Sequence, residues 1–148
     1  MTQTNIGIVE WARRTESARA IEMQLAALLG GWVPRITPAG AKLLLARHAR
    51  HFAWHAELWD GVVPVLHDRA EESVVTEVTL QDAATALATV SEPKGVYDDV
   101  LPHVVAAYRG WSAESTPIAE RPVMRVLDLV LRDLDFDAQE GHGLFARD

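Results

Sequence analysis

Residues Leu43–Trp59 read LLLARHARHFAWHAELW. Leu45, His48, Phe52, His55 and Trp59 recur at steps of three and four, so they share one face of a helix. Two imidazoles therefore stand where a helix normally offers leucine to its core. Burying such a ring costs free energy unless it is hydrogen-bonded, metal-bound or set beside a cavity. The segment predicts a helical protein with a polar site inside it. His51 falls at the wet edge of the same face.

The helical pattern continues in both directions. Upstream, a helix is expected from about Thr4 to Leu29, with Gly30–Gly31 as its stop and Ile8, Trp11, Ala18, Leu25 and Leu29 as its apolar stripe. The histidine helix opens at Thr37–Pro38 and closes near Asp60, before Gly61 and Pro64. Between Val63 and Val78 the pattern is weak and predicts a loop with one short helix. A third helix is expected from Thr79, with Asp82 completing a variant capping box, to Val90. A further one spans Val96–Trp111 with a kink at Pro102.

After a polar loop over Ser112–Arg121, the last helix, about Pro122–Gln139, has the plainest pattern. Arg125, Asp128, Arg132 and Asp135 form its wet stripe, and Val123, Val126, Leu127, Val130 and Leu134 face inward. Strand signals reduce to Val74–Val78, which has no partner. The fold expected is all-α: four main helices in a bundle with an additional short helix or helical loop, in one domain over residues 1–148.

Composition narrows the class. A chain of 148 residues buries about two-thirds of its unfolded surface as a single domain. The net charge of −7, with its arginines scattered, speaks against a nucleic-acid partner. No apolar run reaches the roughly 18–20 residues that span a bilayer. The start of the sequence does not read as a signal peptide, and a cytoplasmic location is expected. With no cysteine there is neither a disulfide nor a thiolate ligand. No glycine-rich phosphate loop and no Gly-x-Ser-x-Gly elbow occurs.

The layout resembles the ferritin-like superfamily of four-helix bundles, whose members carry a metal-binding carboxylate on each of two helices and a Glu-x-x-His pair on each of the other two. Glu22, on the stripe Trp11, Thr15, Ala18, Glu22, Leu25, Leu29, matches the first role. His55 matches a histidine of the first pair, although Phe52 stands where glutamate belongs. Asp133–Leu134–Asp135–Phe136 aligns with the second pair, with Phe136 in place of histidine. The resemblance implies the bundle; Glu22, His51, His55 and Asp133 then offer a reduced, two-histidine and carboxylate metal set of the kind that non-haem iron or zinc enzymes use.

The residues themselves leave two readings open. His51 and His55, four apart, can reach one ion together with Glu22 and Asp133; equally, His48 and His55 can be core histidines bonded to carboxylates. Glu22 and His55 are the first candidates for catalysis. His103 joins them from the stripe Val96, Val100, His103, Ala107, Trp111, with Asp99 to orient its ring. His48, Trp59 and Tyr97 are the candidates for lining a small-molecule pocket. Trp54 faces outward beside Arg47 and Arg50, as an anchor for a homodimer or as cover for the following loop.

Two function classes follow. One is a ferritin-like protein with a polar His/Glu core and a degenerate metal site that binds a small molecule or a partner. The other is a non-haem iron, or other metal-dependent, oxidase or oxygenase acting on a small organic molecule.

Overall fold

The computed structural model describes residues 7–63, 74–114 and 121–145. All regular structure among them is helical. Helix α1 spans Ile8–Trp32, α2 Ala39–Asp60, α3 Gln81–Thr89, α4 Leu101–Glu114 and α5 Arg121–Phe145. The short connection between α1 and α2 pairs them as an antiparallel hairpin, the most extensive helix contact of the described chain. Helix α5 lies against both α2 and α4.

The expected inward stripes form the core except at Ile8 and His103, and helices α1 and α5 run past their expected ends. Helix α1 does not stop at Gly30–Gly31 but runs to Trp32, followed by a single 3-10 turn over Val33–Arg35. Pro34, which has no amide to donate, is the better terminator; two helical glycines cost only about 1 kcal/mol each. Ile8, placed on the inward stripe, is exposed, whereas Trp11, Thr15, Ala18, Glu22, Leu25 and Leu29 are buried. The expected start at Thr4 lies outside the described residues.

His103, expected to face the core, is exposed. The cause is a π-helical turn at Val96–Val100, in which the Leu101 amide reaches back to the Val96 carbonyl. A π-turn inserts an extra residue. It directs Val100, Leu101, Val104, Tyr108 and Trp111 inward and turns His103 out. Pro102, one residue into α4, cannot donate an amide hydrogen bond, which suits it to this junction. The kink expected at Pro102 is thus a wide turn just before it.

Helix α5 extends past the expected end at Gln139, through Gly141 and Gly143 to Phe145. Gly141 is fully packed because the Tyr97 ring lies over it, where any Cβ would overlap the ring. The short third helix begins with a 3-10 turn at Val78–Leu80; most of the weakly patterned segment before it is outside the described residues. Among the described residues no helix is long and apolar enough to cross a membrane.

Candidate metal centre

Helices α2 and α5 run antiparallel, and their facing sides match rung for rung. His48 meets Glu140, His51 meets Asp137 and His55 meets Asp133. The spacing +3, +4 along α2 is mirrored by −3, −4 along α5, so each imidazole lies opposite a carboxylate. The ladder divides into an inner cluster around His55 and an outer one around His48.

In the inner cluster, His55 donates from Nδ1 to Glu22 Oε1 (2.6 Å) and from Nε2 to Asp133 Oδ2 (2.8 Å). Glu22 Oε2 accepts two further bonds, from Trp59 Nε1 (2.5 Å) and the Tyr108 hydroxyl (3.0 Å). Glu22, His55, Trp59 and Tyr108 are all fully buried. Carboxylates only accept, so both ring nitrogens of His55 carry protons and the ring is an imidazolium. Burial alone would lower its pKa, but the hydrogen bond and charge of Glu22, followed by those of Asp133, raise it above 6.5. Burial, then the Glu22 charge, pushes the Tyr108 phenol up, so it stays a donor.

In the outer cluster, Tyr97 donates to His48 Nδ1 (2.6 Å), and His48 Nε2 faces Glu140 Oε1 at 3.1 Å and Asp137 Oδ1 at 3.4 Å. Burial lowers the His48 pKa below 6.5 despite the neighbouring charges of Asp137 and Glu140. Burial, then the Asp137 and Glu140 charges, raises that of Tyr97. His48 is therefore a neutral ring with its single proton on Nε2. Arg47 binds Glu140 from outside. Burial works to raise the Glu140 pKa, but the His48 bond and then Arg47 outweigh it and hold it below its ordinary value.

Asp137 is the telling residue. It is fully buried, and its Oδ2 accepts from His51 Nδ1 at 2.7 Å. Its Oδ1 has no hydrogen-bond partner among the described residues. Buried carboxylate oxygens are rarely left so, because desolvation is then uncompensated. His48, Asp137 and Glu140 each present one ligand atom, all within 4.8 Å of one another. One imidazole nitrogen and two carboxylate oxygens converging in this way form a donor set for a divalent first-row cation.

The sequence-based candidates separate accordingly. Glu22, His55 and Asp133 are brought together with Trp59, but their polar atoms already bond one another. His51 belongs to the outer cluster through Asp137, as do His48 and Tyr97. His103 joins neither. Asp137 and Glu140 escaped the sequence reading, although their spacing from Asp133 repeats that of the histidines in reverse. The chain matches no protein-family model, no curated protein and no solved structure.

Proposed function

We propose that the chain is a metal-binding helical bundle of ferritin-like layout, holding one divalent cation (iron(II), zinc or manganese) between His48, Asp137 and Glu140. The observation that carries this reading is the buried, unbonded Asp137 Oδ1 beside His48 Nε2 and Glu140 Oε1. A cation would take the place of the proton on His48 Nε2, that proton moving to Nδ1 of the same ring, and would give all three atoms a partner. The ring then carries its proton on Nδ1 and donates it to the Tyr97 oxygen, the outer support that metal-bound histidines usually have.

A cation held by His48, Asp137 and Glu140 would leave room for water or a small organic molecule and would supply Lewis-acid polarisation of its oxygen. The Glu22–His55–Asp133 cluster serves instead as a structural brace, since each of its hydrogen-bonding nitrogens is already used. In this reading the second metal of a ferritin-like pair is replaced by the His55 imidazolium.

Metal analysis of protein expressed with iron, zinc and manganese available, and purified without a metal-affinity tag, tests the proposal. One cation per chain is expected, lost in Asp137→Asn and His48→Gln and retained in His55→Gln if that variant folds. A folded wild-type protein that takes up none of these cations, even on reconstitution, overturns it.

A further inference from the structure

The outer side of α2 beside the ladder forms an open groove of about 680 Å³, lined by Leu43, Ala46, Arg47, Arg50, His51 and Trp54. Its volume falls within the roughly 300–1,000 Å³ common for small-molecule sites. The lining holds two guanidinium groups and an imidazole but no carboxylate, in a chain whose acidic residues outnumber its basic ones by 21 to 14. Arg47 and His51 face Glu140 and Asp137 at the rim, which leaves Arg50 as the cation open to an anion.

The side chains divide by chemistry. Arg50 has no ion-pair partner among the described residues, and Arg47 turns one nitrogen to Glu140. His51 uses Nδ1 on Asp137 and is one-third exposed. Trp54 is 44% exposed and Leu43 71% exposed, which leaves a flat apolar wall next to the cationic end. A planar fork such as Arg50 binds a carboxylate through paired hydrogen bonds, and an indole face takes a flat apolar body.

We infer that this groove binds a small aromatic carboxylate, its carboxylate on Arg50 and its ring on Trp54. The groove shares Arg47 and His51 with the ladder, so the ligand lies one side chain away from both carboxylates of the proposed cation site. As the substrate of that site, the ligand rests on the cation reading; as an anion bound to the groove, it does not.

Calorimetric titration of benzoate and of its neutral isostere benzamide into the full chain tests the inference, with the protein chelator-treated in one series and zinc-loaded in the other. Benzoate is expected to bind in both series, and benzamide about tenfold more weakly or worse, the usual worth of a charge-assisted hydrogen bond. Arg50→Gln should weaken benzoate by a similar factor and leave zinc uptake unchanged. Benzoate binding to a chain that takes up no cation supports the groove and removes the cation reading. Zinc uptake without benzoate binding, equal affinity for benzamide, or no effect of Arg50→Gln overturns the groove alone. A concentration-dependent dimer that is lost in Trp54→Ala and indifferent to benzoate also overturns it, because a second copy would then be the occupant.

Discussion

Gly141 of α5 and the Tyr97 ring share a space that admits no Cβ, and the same ring holds His48 by its hydroxyl. A backbone requirement on one helix is thus tied to the orientation of a histidine on another. Gly141→Ala should destabilise the protein by about 1–3 kcal/mol through overpacking, read from denaturant midpoints. It should also weaken cation binding, since the displaced ring is the support of His48. An alanine variant with wild-type stability would show that Tyr97 relaxes freely and is not a fixed support.

Tyr97→Phe isolates the hydroxyl. It keeps the packing over Gly141 and removes only the bond to His48. Loss of such an outer support lowers metal affinity about 10–100-fold. Competition against a calibrated zinc chelator measures this directly; an unchanged affinity would leave Tyr97 as packing alone.

Glu22 acts as a brace, and its removal should be felt in folding. Glu22→Ala leaves the His55, Trp59 and Tyr108 donors without their shared acceptor, in a site fully closed to solvent. Breaking a buried ion pair from one side costs about 3–5 kcal/mol. Urea unfolding should register a loss of that order, whereas cation content per folded chain should hold. Loss of the cation with stability intact would transfer the metal to Glu22 and His55.

The His55 imidazolium makes stability depend on pH. Its pKa in the folded protein is raised above 6.5 by Glu22 and Asp133, which outweigh the opposing effect of burial. The folded state therefore binds the extra proton more tightly than the unfolded chain, and stability falls as pH rises between the two values. The stabilisation is complete below 6.5 and disappears as pH climbs through the folded-state value. Denaturant midpoints measured from pH 6 to 9 should decline for the wild type and lack this component in His55→Gln. Parallel curves for the two proteins would count against the charged form.

Arg14 offers a test away from the ladder. Its guanidinium lies 5.1 Å from the Trp11 ring and 5.6 Å from the Trp111 ring, and binds Glu10 and Glu114. Lysine has the charge but not the plane. Arg14→Lys should cost about 1–2 kcal/mol, the usual strength of such stacking when desolvated, visible as a lower thermal midpoint. A midpoint unchanged in Arg14→Lys but lowered in Arg14→Met would assign the effect to charge alone.

The α2 stripe and the inward face of α5 could be read from period alone, because each buries one side of a regular helix. The same logic placed Glu22 and His55 in the core, though not their bond to each other. It failed at His103, since a π-turn changes the period locally and nothing in Val96–Val100 announces it except the nearby Pro102. It failed at Gly141, where a residue that usually ends a helix instead admits a neighbouring ring. Asp137 and Glu140 stayed hidden for a different reason. Their partners depend on how far α5 is slid along α2, which neither helix specifies by itself.

That offset is what the ladder fixes. If α5 slipped one turn in one direction, His48 would face Leu144; in the other, His55 would face Val130 or Leu129. Either way, a buried imidazole would lose its carboxylate, and three His–acid pairs would fall to one. Apolar stripes tolerate sliding, because one leucine replaces another at little loss. A vernier of three histidines against three acids has a single coincidence. Buried ionic groups are best attested in this role of selecting one alignment. The ladder's own hydrogen bonds set this alignment, so the three donor atoms would be positioned before any metal arrives.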